Sequence, residues 1–299
     1  MGLTSQTTSQ LRKRPRLLNL LKRVVHQASP ETVALLDYPV YARRRWDEER
    51  PHAGLLDIIA AGRKQYDATL YEFLQFAEAL AAIPRDQVDR ASSIEPAWEN
   101  GWMPALDGVA LYCFLATLRP RLYMEVGSGN STMFARRAIR DQGLDTKIVS
   151  IDPQPRAEVN ALCDEIIRQP VEDIDLGIFD RLEANDILYI DNSHRALMNS
   201  DATTLFLDVL PRLKPGVVVE IHDITLPYDY PQEWVDRHYS EQYVLAAFLL
   251  ARGSLFDVIL PSMFISCDGD LQQTLAPLWK RDSMQGVQTH GCSFWIKMR

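Results

Sequence analysis

The chain contains no run of eighteen uninterrupted apolar residues, and its four cysteines, Cys113, Cys163, Cys267 and Cys292, form no Cys-x-x-Cys pair. A helix needs about 20 apolar residues to cross a bilayer, so we expect no membrane span. Scattered cysteines without a secretory signal are typical of reduced thiols in the cytoplasm, and we expect no metal cluster built on them. A composition of 46% hydrophobic and 24% charged residues is that of an ordinary globular protein.

Acidic residues are absent before Glu31, whereas six basic residues fall there: Arg12, Lys13, Arg14, Arg16, Lys22 and Arg23. This charge pattern predicts that residues 1–28 form a solvated basic tail. The alternative is a helix that binds a membrane surface or directs the protein to an organelle. The formal net charge of -8 argues against a protein whose whole surface binds nucleic acid. We expect no nucleic-acid partner, and the sequence does not set the oligomeric state.

Hydrophobic periodicity divides the rest of the chain into two parts. Residues 29–103 indicate a helical extension, because "TLYEFLQFAEALAAI" repeats apolar residues at helical spacing and is followed by Pro84. From residue 104 onward, β-branched runs alternate with helical segments. The predicted strands are 122–126, 147–151, 165–168, 187–190 and 217–221, and the predicted helices are 133–139, 157–163 and 202–213. This alternation predicts an α/β fold with a parallel sheet covered on both faces. A helix over 241–252 and two more strands, in "LFDVILP" and "CSFWIKM", complete the chain.

The stretch "EVGSGNST", from Glu125 to Thr132, follows the first predicted strand and holds two glycines one residue apart. A phosphate-binding loop would end in Gly-Lys-Ser/Thr, and no lysine is present. A dinucleotide fingerprint would need a small residue at position 132, where the branched Thr132 would crowd the helix packing. The stretch is then either an ordinary turn capped by Ser131 or Thr132, or a loop that leaves room for another ligand.

Asp152 ends the second predicted strand, 25 residues beyond Gly127. A carboxylate at that place accepts hydrogen bonds from both hydroxyls of a ribose that lies beside the glycine loop. The two features together predict a ligand that carries a nucleoside.

These residues resemble the class I S-adenosylmethionine-dependent methyltransferases, over residues 104–299. Glu125-x-Gly127-x-Gly129 is similar to their acidic-Gly-x-Gly motif, and "ILYIDNSH", "LPRLKPGVVVEIHD" and "CSFWIKM" follow in the family's order. The resemblance implies a Rossmann-like, mostly parallel seven-stranded sheet, with an antiparallel last strand between strands five and six. More narrowly, the chain is similar to a bacterial branch with Asp-x-x-His after strand four and His-Asp after strand five.

The resemblance also implies where S-adenosylmethionine would bind. Its methionine portion would lie against Glu125, Gly127, Ser128, Gly129, Asn130 and Ser131. Glu125 would help to hold the ammonium group, and Asp152 would hold the ribose. Glu172, after the third predicted strand, would contact the adenine, with an ordinary surface carboxylate as the alternative.

Polar side chains follow the fourth and fifth predicted strands: Asp191, Asn192 and His194, then His222 and Asp223. Because ligands of open α/β sheets bind beyond the carboxyl ends of the strands, we predict that these residues form the base of a catalytic site. In one mechanism, His194 or His222 is a neutral base, with a pKa near about 6.5, that removes a hydroxyl proton. The structural alternatives are that Asp191 caps the next helix, that Asp223 caps the turn that follows it, and that each histidine is a structural residue whose hydrogen bonds are satisfied.

In the second mechanism, Asp191, His222 and Asp223 hold a divalent cation, an arrangement that resembles metal-dependent O-methyltransferases. A nitrogen ligand at position 222 favours Mn, Fe or Zn over Mg. We predict methyl transfer from S-adenosylmethionine to a hydroxyl of a small-molecule acceptor. An NAD(P)-dependent oxidoreductase and a non-catalytic nucleoside-binding scaffold are the alternatives. The aromatic stretches "WENGWMPALDG" and "DITLPYDYPQEW" either contact substrate or pack the extension onto the sheet.

Overall fold

The structure is a computed structural model, which describes Leu20, Val24 and residues 40–86, 94–155 and 158–299. The chain divides into two units, Met1–Arg43 and Arg44–Arg299. In the first unit, Leu20 and Val24 are helical, and the rest of the predicted basic tail lies outside the described residues. The predicted boundaries after residues 28 and 103 stay predictions. All elements described below belong to the second unit.

Seven strands of the described residues form one mixed sheet. They are β1 (Leu122–Val126), β2 (Lys147–Ile151), β3 (Glu165–Ile167), β4 (Ile187–Ile190), β5 (Val218–Ile221), β6 (Phe256–Pro261) and β7 (Phe294–Met298). Their order across the sheet is β3-β2-β1-β4-β5-β7-β6. The strands β1 to β5 pair in parallel, and β7 is antiparallel to both β5 and β6. The predicted α/β fold, with its antiparallel last strand between strands five and six, is confirmed.

Helices precede, connect and follow the strands. They are α1 (Ala53–Ala60), α2 (Arg63–Phe73), α3 (Ala77–Ala81), α4 (Ala105–Leu118), α5 (Asn130–Asp141), α6 (Asp201–Thr204), α7 (Gln232–Asp236), α8 (Glu241–Leu250), α9 (Ser262–Cys267), α10 (Gly269–Thr274) and α11 (Ala276–Trp279). The predicted N-terminal helical extension is thus present in α1 to α3. Leu55, Ile59, Leu70 and Phe73 from these helices are fully buried in the same core as the sheet. No helix among the described residues has the length and apolarity to cross a bilayer.

Two predicted helices differ from the observed structure. The prediction over 157–163 is reduced to a 3-10 turn at Asn160–Leu162, and Ala157 lies outside the described residues. The prediction over 202–213 becomes α6, a π turn at Leu205–Val209 and a 3-10 turn at Leu210–Arg212. Pro211 explains the last change, because proline has no N–H to donate within a helix.

Parallel pairing brings the carboxyl ends of the central strands to one edge of the sheet. Backbone hydrogen bonds extend the pairing beyond the strands: Gly127 donates to Ile151, Asp191 donates to Val126 and His222 donates to Ile190, at 3.0, 2.8 and 2.8 Å. The loops that carry the predicted site residues therefore lie side by side.

Candidate active site

Gly127 allows the loop after β1 to touch the end of β4. Its φ is +86°, and a Cβ on Gly127 would lie 1.8 Å from the carbonyl oxygen of Asp191. Gly129 is different: it is buried, yet a Cβ there would meet no atom within 4 Å. One glycine therefore permits a close contact within the protein, and the other borders empty space.

Glu125 lies beneath this loop, with no exposed surface, and is not part of the cavity wall. Its carboxylate accepts hydrogen bonds from Tyr123, Ser131 and Thr132, at 3.2, 3.2 and 2.6 Å. Thr132 in turn accepts the N–H of Gly129, at 3.1 Å. Burial raises the pKa of Glu125 to about 7, against the opposing effect of the hydroxyl donors. Glu125 thus supports the loop from below; its predicted contact with an ammonium group stays a prediction.

Asp152 ties the glycine loop to the end of β2. One carboxylate oxygen accepts the N–H of Ser128, at 2.8 Å, and the other accepts the N–H of Gln154, also at 2.8 Å. Ser128 and Ser150 share a further hydrogen bond of 2.6 Å between their hydroxyls. An ionised carboxylate has about four acceptor positions, so these two bonds leave Asp152 free to accept from a ligand as well.

A cavity of about 300 Å³ opens at the carboxyl edge of the strands. Its wall includes the predicted residues Gly127, Ser128, Asp152, Glu172 and Asp191, together with Asp201. Asn130 and Ser131, the first residues of α5, are not part of the wall. No lysine or arginine stands among the described residues that line the cavity, which therefore carries four carboxylates and no cation. Burial raises the pKa of Glu172.

Asp201 is a wall residue that the sequence analysis missed. It accepts hydrogen bonds from the N–H and the hydroxyl of Ser193, at 2.7 and 2.6 Å, and so fixes the loop after β4. Its position at the start of α6, after Ser200, resembles an ordinary helix start, so no motif marked it.

His194 is buried among three carboxylates. Its Nδ1 lies 2.5 Å from Glu241, and its Nε2 lies 3.4 Å from both Asp191 and Asp223. Burial opposes the charged ring, but the charges and hydrogen bonds of the carboxylates outweigh it and raise the pKa of His194 to about 10. The raised pKa disfavours the neutral imidazole expected for His194, and its role as a general base stays a prediction. Glu241, at the start of α8, was not singled out by the sequence analysis.

His194 also changes the metal prediction. Its ring nitrogen lies between the carboxylates of Asp191 and Asp223, which is the position that a shared cation would take. The donors that cluster around His222 are different ones: Asp107 from α4 and Cys292 from the segment before β7. Asp191, His222 and Asp223 are thus not brought together as a common ligand set.

Two of the predicted catalytic residues have unusual backbone conformations. His194 has a φ of 61° and Asp223 a φ of 55°, in the left-handed region that side chains other than glycine rarely adopt. Such conformations cost roughly 1–3 kcal/mol each and concentrate at functional sites. Their side chains are held in place by the contacts described above.

The aromatic residues after β5 mostly pack against one another. Tyr230 is fully buried and contacts Trp234, Tyr239 and Tyr243, with ring centroids 5.8, 5.8 and 5.9 Å away. In the other aromatic stretch, Trp98 packs on Phe134 and Trp102 is 61% exposed. Packing therefore accounts for Tyr230, Trp234 and Trp98.

Comparisons with known proteins agree with the topology. Residues 124–224 match a family model described as a methyltransferase domain. An uncharacterised protein of Archaeoglobus fulgidus is 35% identical over 94 residues, which are 29% of this chain and 42% of that protein. The chain thus spans less than half the length of this curated relative.

Solved structures of similar fold include a methyltransferase of Podospora anserina with bound S-adenosylhomocysteine (SAH) and an O-methyltransferase of Bacillus cereus in complex with SAH. The first is 16% identical, covers 77% of this chain and 88% of its own, and has a TM-score of 0.39. The second is also 16% identical, covers 78% and 91%, and has a TM-score of 0.37. At such scores the likeness carries no argument about the ligand of this chain.

The sheet order is the one that the predicted Rossmann-like methyltransferase fold requires. Residues 124–224 match the methyltransferase-domain model, which is consistent with the predicted class I S-adenosylmethionine-dependent methyltransferases. The narrower assignment to a branch by Asp-x-x-His and His-Asp stays a prediction.

Proposed function

We propose that this chain transfers a methyl group from S-adenosylmethionine to a hydroxyl group of a small molecule. The observation that carries this proposal is the charge of the cavity beside the glycine loop. Asp152, Glu172, Asp191 and Asp201 line it, and no described lysine or arginine does. A ligand with a sulfonium and an ammonium group is attracted to such a wall, whereas a pyrophosphate is repelled. The cavity therefore supports S-adenosylmethionine over NAD(P).

Open space and hydrogen-bond acceptors beside the glycine loop support this ligand as well. The empty space beside Gly129 leaves room for a ligand against the loop backbone. Asp152 lies in the wall with acceptor positions to spare for a ribose, and Glu172 stands in the wall after β3, where an adenine would lie. When bound, S-adenosylmethionine supplies an electrophilic methyl group.

Asp191 is the residue we assign to proton removal. Asp191 is part of the cavity wall, and Nε2 of His194 lies 3.4 Å from its carboxylate. This contact fixes the direction of the carboxylate. Asp191 would take the proton of the acceptor hydroxyl, while S-adenosylmethionine would supply the methyl group and leave as S-adenosylhomocysteine. A positioned acid–base group typically contributes about 10²–10⁴-fold to the rate.

Titration calorimetry with SAH, and NAD as the comparison ligand, tests the proposal. We expect the full chain to bind SAH and not NAD. Asp191→Asn is expected to keep SAH affinity and to lose turnover with a hydroxyl acceptor. Asp208→Asn is the matched control, because Asp208 is an exposed carboxylate that is not part of the cavity wall. Binding of NAD in place of SAH would overturn the proposal, and SAH binding without turnover on any acceptor would favour a scaffold.

A further inference from the structure

A cluster of three potential metal ligands lies apart from the cavity wall. Donor atoms of Asp107, His222 and Cys292 all lie within 4.8 Å of one another, and all three side chains are buried. They come from distant parts of the chain: the first turn of α4, the residue after β5 and the segment before β7. Asp223, next to His222, borders the cluster, and its Oδ1 lies 3.3 Å from the sulfur of Cys292.

The distances around Cys292 are close to those between the ligands of a tetrahedral site. Zinc binds sulfur at about 2.3 Å and nitrogen or oxygen at about 2.0 Å, so neighbouring ligand atoms are about 3.3–3.5 Å apart. The sulfur of Cys292 lies 3.5 Å from Oδ2 of Asp107 and 3.3 Å from Oδ1 of Asp223. Nε2 of His222 lies 3.9 Å from the same Asp223 oxygen. Small movements would bring the donor atoms of Asp107, His222 and Cys292 onto one ion.

Hydrogen bonds alone satisfy this cluster poorly. A thiol has one proton, so Cys292 can donate to Asp107 or to Asp223 but not to both. Asp107 has only 1% of its surface exposed, and its carboxylate accepts two backbone N–H groups, from Cys292 at 2.8 Å and from Ser293 at 3.0 Å. Two of its acceptor positions remain. A cation between the sulfur and the carboxylates would use them.

The orientation of His222 supports the same conclusion. Its Nδ1 lies 3.2 Å from the fully buried carboxylate of Glu220, which leaves Nε2 directed at the cluster. Metal-binding histidines usually donate their second ring N–H to a carboxylate in this way, because the contact fixes the tautomer and the ring. Gly291 allows the backbone to pack closely against Asp107, since a Cβ at position 291 would lie 2.4 Å from Oδ1 of Asp107.

We propose that Asp107, His222 and Cys292 bind a Zn²⁺-type ion. One sulfur, one nitrogen and one oxygen donor suit zinc better than magnesium or calcium, which prefer oxygen throughout. Zinc in proteins is almost always four-coordinate, so a fourth ligand completes the shell. The ion ties α4 and the segment before β7 to the end of β5. This site replaces the predicted set of Asp191, His222 and Asp223.

The inference does not depend on the methyl-transfer proposal, because metal content and SAH binding are measured separately. The first experiment is elemental analysis of the purified full chain, followed by replacement of the ion with Co²⁺. We expect one zinc per chain, and a cobalt form with a thiolate-to-metal charge-transfer band and the strong visible bands of tetrahedral cobalt. A chain that contains no metal and takes up neither Zn²⁺ nor Co²⁺ would overturn the inference, whatever its affinity for SAH.

Variants identify the ligands. Cys292→Ser is expected to abolish the charge-transfer band and to weaken zinc binding by more than about 100-fold. Loss of a residue that only hydrogen-bonds to a ligand typically lowers metal affinity by about 10–100-fold, and loss of a ligand itself should cost more. Cys163→Ser is the matched control, a half-buried thiol outside the cluster that should leave the band unchanged. Asp107→Asn covers the case in which Cys292→Ser does not fold, and it should lower zinc affinity while the sulfur band persists at high cobalt. A band that survives Cys292→Ser, or disappears in Cys163→Ser, refutes the assignment.

Discussion

Replacement of Gly127 by alanine tests whether the glycine loop is built for contact within the protein. The new Cβ would lie 1.8 Å from the carbonyl oxygen of Asp191, whereas real Cβ contacts stay beyond about 3.0 Å, so β1 and β4 would have to separate by more than an ångström. A left-handed alanine costs about 1–2 kcal/mol, and overpacking typically costs about 1–3 kcal/mol. We expect Gly127→Ala to lower the free energy of unfolding by about 2–5 kcal/mol.

Gly129→Ala is the matched control for this experiment. Its Cβ would meet no protein atom, so the loss of stability should be clearly smaller than for Gly127→Ala. The same methyl group would occupy space that we assign to the ligand, so SAH affinity should fall in Gly129→Ala. Urea denaturation measures the first effect and titration calorimetry the second. Equal stability of the two variants would refute the packing argument, and wild-type SAH affinity in Gly129→Ala would refute the placement of the ligand.

Three further variants test the surroundings of the site. Asp152→Asn should weaken SAH binding by about 10–100-fold in calorimetry, since it loses a charged acceptor; unchanged affinity would remove Asp152 from the ribose site. Glu125 has a pKa raised from 4.5 to about 7, so its contribution to stability is full below pH 4.5 and is lost as the pH rises through 7. Between these two pH values, the free energy of unfolding measured with urea should fall by about 3 kcal/mol more in the wild type than in Glu125→Gln. If the two proteins have parallel profiles of unfolding free energy against pH, the prediction is wrong. Glu241→Gln should lower the pKa of His194 from about 10, as followed by NMR. The protonated His194 stabilises the fold fully below its ordinary pKa of 6.5, and this stabilisation is lost as the pH rises through 10. Glu241→Gln should therefore lower the free energy of unfolding by about 3 kcal/mol at neutral pH and by less near pH 10. An unchanged histidine titration in the variant would contradict the assignment.

Local pattern was sufficient to predict the positions of the parallel strands, whereas the antiparallel place of the last strand came from the family resemblance. The predicted strands 122–126, 147–151 and 187–190 have the observed bounds, and 165–168 and 217–221 differ by one residue. Buried parallel strands are short apolar runs between turn residues, so the sequence marks them directly. The helix over 202–213 was less accurate, because Pro211 and the π turn depend on packing as well as on local preference.

Side-chain partners were harder to predict, because they come from distant parts of the chain. Gly127, Ser128, Asp152, Glu172 and Asp191 do share one cavity, as the motif and the strand-end rule indicated. The partners of the histidines follow no such rule. Glu241 is 47 residues from His194, and Asp107 is 185 residues from Cys292. Nothing in the local sequence of either segment connects them.

His194 and His222 show why residue type and strand position do not fix a chemical role. Both follow neighbouring parallel strands and both are buried. His194 has carboxylates on both ring nitrogens, which raise its pKa and disfavour it as the base that takes a proton from a substrate. His222 has a carboxylate behind Nδ1 and a thiol among the donors in front, so its Nε2 faces a site for an ion. Asp223 contacts both clusters, so loss of the proposed ion should also alter the surroundings of His194.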